Sequence, residues 1–138
     1  MIVLDTNVIS EAMRPVPSPA VAAWIARQNA EDLFTTAITQ AEILLGVAIL
    51  PDGKRKQDLS TAARQILALF MGRILAFDSA AAGLFAEIVA ERRRTGRPIS
   101  AFDAQIAAMA RARGMTLATR NVADFDGIGI PVVDPWRG

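Results

Sequence analysis

Short apolar or β-branched runs alternate along this chain with longer segments whose apolar residues recur at helical period. That pattern predicts βα units around a parallel sheet. Strands are expected near 2–5, 32–36, 74–77, 115–118 and 131–133. The first helix follows Asp5 and stops before the turn Arg14-Pro15-Val16-Pro17, and Ser18-Pro19 offers an N-cap and a first-turn proline for a second helix through about Gln28. A third helix, from about Ile38 to Leu50, ends at Pro51-Asp52-Gly53, a fourth spans about Lys54 to Met71, and a fifth starts after Asp78-Ser79 and runs to about Thr95-Gly96. In a sixth, about Phe102 to Arg113, the residues Phe102, Ile106, Met109 and Ala110 share one face and Gly114 is placed to stop the helix. Segments 37–50 and 59–71 are apolar on several sides, which predicts burial in the core or in a partner interface. No internal repeat, low-complexity tract or long linker divides the chain, so residues 1–138 read as one α/β domain with a central parallel sheet.

Composition narrows the chemistry more than the fold. An apolar share of 52% supplies a single core, and a net charge of +1 argues neither for nor against a nucleic-acid partner. The absence of cysteine rules out disulfides and suits a reducing cytosol. The opening residues lack the basic and long apolar regions of a signal peptide, and no uncharged apolar stretch reaches spanning length, so a cytoplasmic protein with no membrane partner is expected. With no His, Cys or Tyr, hydrolytic chemistry must run on carboxylates, hydroxyls or Lys, most naturally with a hard cation such as Mg²⁺ or Mn²⁺.

Four acids stand where such a site could form. Asp5 directly follows the apolar run Ile2-Val3-Leu4, the place where ligands bind in open α/β sheets, yet it is also a good N-cap for the first helix. Glu42 closes Thr39-Gln40-Ala41-Glu42 and Asp103 closes Ser100-Ala101-Phe102-Asp103, both of which fit capping boxes. Asp124 lies in a loop after a strand, where a solvated acid is the plain alternative. Each acid is explicable alone, so the case rests on their joint placement at strand ends and helix starts.

That combination resembles the PIN-domain nucleases. The matching pieces are Ile2-Val3-Leu4-Asp5-Thr6-Asn7, Ala37-Ile38-Thr39-Gln40-Ala41-Glu42, Asp103-Ala104-Gln105-Ile106-Ala107-Ala108, and Thr119-Arg120-Asn121 with Asp124-Phe125. Within that family the chain is most similar to the VapC-type toxins of type II toxin-antitoxin systems, in particular the FitB-like group, through Asp5-Thr6-Asn7-Val8-Ile9-Ser10-Glu11, Gly72-Arg73-Ile74-Leu75 and Pro135-Trp136. The resemblance implies a three-layer α/β/α fold and a metal-dependent ribonuclease in which Asp5, Glu42, Asp103 and Asp124 hold Mg²⁺ or Mn²⁺. The fourth position is divided: the slot directly after Thr-Arg holds the neutral Asn121, and the acid comes later as Asp124. Thr6 and Thr119 are then hydroxyl partners that orient the carboxylates, with Asn121 a polar neighbour. The same resemblance implies a cognate antitoxin covering the groove, a homodimer or dimer of dimers, and operator DNA bound only through the antitoxin.

Physical reasoning supports a cation apart from any family. Two carboxylates about 4 Å apart repel by ~4 kcal/mol at an effective dielectric near 20, so four together need a cation or a retained proton. A cation can also activate water for attack on a phosphodiester, a route that does not use the 2′-OH and leaves substrate choice to the surrounding surface. Candidate phosphate contacts are Arg92, Arg93, Arg94 and Arg97, with Arg111, Arg113 and Arg120 further on, although a solvated helix end explains any one of them. Trp24, Trp136 and the six Phe are not interleaved with basic residues, which gives no sign of a base-stacking platform. A catalytically silent PIN-fold binding module is the alternative. A phospho-acceptor or phosphatase domain ranks lower because position 7 is Asn7 rather than a second acid.

Overall fold

The computed structural model describes residues 1–138. Five strands form one wholly parallel sheet in the order β3-β2-β1-β4-β5, built from β1 (Ile2–Leu4), β2 (Leu33–Thr36), β3 (Ile74–Leu75), β4 (Thr116–Ala118) and β5 (Val132–Val133). Six α-helices accompany them: α1 (Thr6–Ala12), α2 (Pro19–Ala26), α3 (Ala37–Ala48), α4 (Lys54–Ala68), α5 (Ser79–Arg94) and α6 (Ala101–Ala112). All five expected strands are present within one or two residues of their expected bounds. None of the helices is long and apolar enough to cross a membrane.

The layering follows from the two-residue period of the strands. Val3 and Leu117 face a core built with α5 and α6, whereas the adjacent Leu4 and Ala118 face a second core built with α1 to α4. A parallel sheet covered on both faces is the result. In α6, Ala104, Ile106, Ala107, Ala108, Met109 and Ala110 are all buried, because alanines let the helix sit close against both the sheet and α5. Gly114, at φ 63°, ends α6 as expected.

Several local expectations are corrected. Phe102 is 46% exposed and does not join the buried face of α6, since it stands in the first turn, beyond the edge of the core. Ser18 occupies the N-cap of α2, but its side chain makes no cap bond; its N–H instead donates to Glu11 Oε2 at 2.9 Å. Helix α3 begins one turn earlier than the Thr39 box requires. Thr36 is its N-cap, accepting from the Thr39 N–H at 3.0 Å, which frees the Glu42 carboxylate from any cap. Within the single chain α3 and its C-cap leave Leu44, Leu45 and Ile49 exposed as an apolar stripe, so the core accounts for only part of the burial expected of 37–50 and a partner interface is left for the rest.

Chain order fixes where a ligand can enter. After β1 the chain crosses to β2 on one side, and β4 pairs with β1 on the other, so the crevice at the carboxyl ends of β1 and β4 is the switch point of the sheet. Asp5 leaves β1 at that crevice and Thr119 leaves β4 beside it. The ladder continues past both strand ends through Asp5 N–H to Ala118 O and Thr119 N–H to Val133 O, each 2.9 Å.

Candidate metal centre

Asp5 is the most buried acid of the chain, 4% exposed. Its Oδ1 accepts the Thr6 N–H at 2.8 Å, so it does cap α1, while its Oδ2 accepts the Thr119 hydroxyl at 2.7 Å and Asn7 Nδ2 at 3.4 Å. Capping thus occupies one carboxylate oxygen and leaves the other to Thr119 and Asn7. Burial pushes the Asp5 carboxyl up to about 6, the negative charges of Asp103 and Glu42 add to the rise, and the bonds from Thr119 and Thr6 hold it back.

Glu42 projects from the second turn of α3 and accepts the Thr6 hydroxyl proton at 2.8 Å. That bond orders a chain of hydroxyls. Thr6 has one proton and Glu42 takes it, so the 3.0 Å contact between Thr6 and Thr39 is donated by Thr39, and Thr36 donates in turn to Thr39 at 3.4 Å. Three hydroxyls thus point their protons toward one carboxylate. Asp103 enters from the first turn of α6, whose N-cap Ser100 accepts the Asp103 N–H at 3.2 Å. Burial raises the Asp103 carboxyl, the neighbouring Ser100 hydroxyl opposes that, and the charge of Asp124 raises it further.

These three acids line one open cavity of about 600 Å³ together with Thr6, Asn7, Ser10, Glu11, Arg14, Arg120, Asn121 and Trp136. Asp124, itself exposed, lies outside that lining, in the 3₁₀ turn Val122–Phe125, on an adjoining cavity that also reaches Arg120 and Asn121. Asn121, the neutral alternative for the fourth position, is in the main cavity. Thr119 supports both halves of this arrangement, since its hydroxyl donates to Asp5 and accepts the Asn121 N–H at 3.1 Å.

Most of the candidate arginines are elsewhere. Arg92 is corrected from a phosphate contact to a buried clamp: it is 8% exposed, and its guanidinium donates to Arg97 O at 2.7 Å, Asp124 O at 3.0 Å and Asp126 O at 3.1 Å. A guanidinium closed over three carbonyls is not free for substrate. It ties the α5–α6 connection to the turn that carries Asp124. Arg94 pairs with Glu91, and Arg97 with Asp126 at 3.4 Å. Neither of these, nor Arg93, lines the acidic cavity, whereas Arg120 does. The sequence reading also missed Arg14 and Trp136 as cavity walls and Thr39 as a supporting hydroxyl. Only Thr39 carried a signal, three residues before Glu42 and so on the same helical face.

The donor set suits a hard cation. All candidate ligands are oxygens, and the ionic groups that perturb Asp5 and Asp103 are all other acids. The acids share a wall without converging, since no three of them are set tightly enough to hold an ion by themselves. Mg²⁺ keeps several waters and takes one or two carboxylates directly, so a spaced set is compatible with it.

Residues 2–129 match the PIN domain family. The chain is 45% identical to Toxin FitB of Neisseria gonorrhoeae and 41% identical to VapC ribonuclease Y4jK of Sinorhizobium fredii, in each case over 138 residues and 99% of both chains. Its fold superposes with a TM-score of 0.91 on a chain in the solved structure of FitAB bound to an IR36 DNA fragment, at 46% identity and covering 99% of this chain and 96% of that one. On sequence and fold together, this chain belongs to the PIN-domain family.

Proposed function

We propose that this protein is the endoribonuclease toxin of a toxin-antitoxin pair, acting in the cytoplasm with Mg²⁺ or Mn²⁺ and with residues 1–138 as one catalytic domain. The observation that carries the metal site is that Asp5, Glu42 and Asp103, from three separate elements, line one open cavity; the raised Asp5 carboxyl, at about 6, accords with it. The toxin and ribonuclease readings are supported by the names of relatives matched over almost the whole chain. Asp5, Glu42 and Asp103 would hold the cation, with Asp124 or Asn121 in the fourth position. When bound, the cation neutralises the acids and makes an attacking water more acidic.

The chain's own residues prepare that chemistry. Thr119 and the Thr6 N–H aim Asp5, the ordered hydroxyls of Thr36, Thr39 and Thr6 aim Glu42, and the Ser100 cap places Asp103 at the mouth of α6. Holding these groups before substrate arrives avoids reorganisation during the reaction. The neutralising partner is a cognate antitoxin whose cationic side chain fills the acidic cavity, and operator DNA is reached through that antitoxin, consistent with the DNA-bound FitAB neighbour. The exposed Leu44, Leu45 and Ile49 stripe supports a second copy as a further partner, giving a homodimer or dimer of dimers.

The test is incubation of total RNA with antitoxin-free protein in Mg²⁺, Mn²⁺ or EDTA, beside the Asp103→Ala variant. Discrete metal-dependent products absent from the variant are expected. No cleavage by folded protein would leave a binding module instead. Inhibition that survives replacement of every Arg and Lys in the antitoxin tail would remove the cation-filling reading of the partner.

A further inference from the structure

The cavity is divided electrostatically. Asp5, Glu42 and Asp103 supply its metal-binding acids, and its only positive lining residues are Arg14 and Arg120. Arg14 is already engaged, 3.4 Å from the buried Glu11. Glu11 also accepts the Ser18 N–H, and its carboxyl is held below the usual range by that bond first and by Arg14 and Arg120 after it. Arg120 itself makes no ion pair within 4 Å. It is therefore the one uncommitted cation in the wall.

Arg120 is also held in place. Its guanidinium carbon sits 5.0 Å from the ring centroid of Trp136, and the Arg120 backbone N–H donates to Asn7 Oδ1 at 3.2 Å, fixing the main chain at that point. Trp136 is the single hydrophobic residue of the cavity lining, half-buried against the core beneath α1 to α4, with its N–H donating to Asp134 Oδ1 at 2.9 Å. An Arg side chain normally loses rotamer freedom when it grips a ligand, and a flat stacking partner removes much of that loss beforehand. A planar guanidinium suits phosphate oxygens, and a polyanion entering an acidic cavity needs such a contact.

We propose that Arg120, stacked on Trp136, is the phosphate-gripping arm of the substrate groove, with Trp136 its positioning residue. The inference rests on the ribonuclease reading and deepens it by assigning how the strand is held beside the acids. The aromatic acts through the arginine it supports.

The experiment is binding of a fluorescent single-stranded RNA across a salt series in Mg²⁺, in the Asp103→Ala background so that the strand stays intact. Arg120→Ala should weaken binding about tenfold and reduce the salt slope by about 0.7, the loss of one phosphate contact. Trp136→Leu should weaken it similarly, and the double variant should be no worse than either, because both changes remove one contact. Arg120→Lys, which keeps the charge but not the planar stack, should also bind more weakly than the parent and tests the idea even if Trp136→Leu does not fold. An unchanged salt slope in Arg120→Ala, full affinity in Arg120→Lys, or additive losses in the double variant would each overturn the proposal. Cleavage is scored separately with Asp103 intact: cleavage of RNA alongside unaltered binding by the Arg120 variants sinks the arm alone, whereas a reduced slope without any cleavage supports the arm and sinks the nuclease reading.

Discussion

Replacing Asp5 with Asn should stabilise the metal-free protein at neutral pH. The Asp5 carboxyl rises from an ordinary 3.8 to about 6 on folding, chiefly through burial. Between those values the native state holds more protons than the unfolded state, so stability falls as pH rises through that window and the full deficit is present above about pH 6. At about 1.4 kcal/mol per pH unit, the rise corresponds to about 3 kcal/mol of native-state stability lost when the group ionises without a cation. Asn removes the charge and keeps the size. An amide offers one acceptor oxygen where the carboxylate offers two to Thr6, Thr119 and Asn7, so a net gain of about 1–2 kcal/mol is expected, or several degrees in Tm for a domain of this size. The assay is thermal unfolding of both proteins in EDTA at pH 7.5 and pH 5. The variant should lead at pH 7.5, and the gap should narrow by about 1 kcal/mol at pH 5, where the native carboxyl is mostly protonated. Saturating Mg²⁺ should then raise the parent's Tm and leave the variant's almost unchanged. A variant that melts at or below the parent at pH 7.5 in EDTA, or a gap that does not respond to pH, would refute the reasoning that this acid is held uncompensated.

Three further outcomes follow from the contacts around the site. Thr39→Val keeps shape but removes the hydroxyl that feeds Thr6, and should cut kcat about tenfold with little change in KM, with recovery in Thr39→Ser; steady-state cleavage kinetics check it. Arg92→Met leaves three carbonyls without their donor and should cost about 3 kcal/mol in denaturant unfolding, far more than the same change at exposed Arg93. Asp124→Asn should reduce cleavage less than Asp103→Asn and move the acid limb of the pH–rate profile to lower pH, because the charge that helps raise Asp103 is gone; a limb that stays put would disconnect the two acids.

How far the chain could be read from its sequence depends on the range of the physics involved. Strand and helix positions follow local period and punctuation, which is why Pro19 at the start of α2 and Gly114 at the end of α6 fell where expected. The placement of Asp5 at the end of β1 was legible for the same reason, because a polar residue after an apolar run has few other roles in a parallel sheet. Glu42 was only half legible. Thr36 and Thr39 both fit a cap three residues before a polar partner, and what decides between them is where β2 ends, which pairing with β1 and β3 determines. The arginines were least legible, since a run of three at a helix end gives no hint that Arg92 turns inward onto carbonyls from a turn more than thirty residues away.

For Asp5, Glu42 and Asp103 cap and ligand read as rivals in the sequence, and the hydrogen bonds remove the rivalry, because capping does not use up the carboxylates. Asp5 uses one oxygen for the Thr6 N–H and the other for Thr119 and Asn7, and at α6 the cap is Ser100, so the Asp103 carboxylate is not needed as a cap. Helix starts supply fixed geometry and a favourable dipole for negative charge. They are therefore economical places to hold an acid that burial alone would neutralise. The dipole and the hydroxyl donors do not cancel the burial at Asp5, whose carboxyl still rises to about 6. A folded protein that keeps such a group ionised at neutral pH retains a local conflict with its own stability, and the proposed cation would resolve that conflict on binding. The same account explains the division of the cavity. Acids that attract a cation repel a polyanion, so on the proposed reading Arg120 would have to be held close to them, and the contact with Trp136 and the backbone bond to Asn7 place its side chain and main chain there.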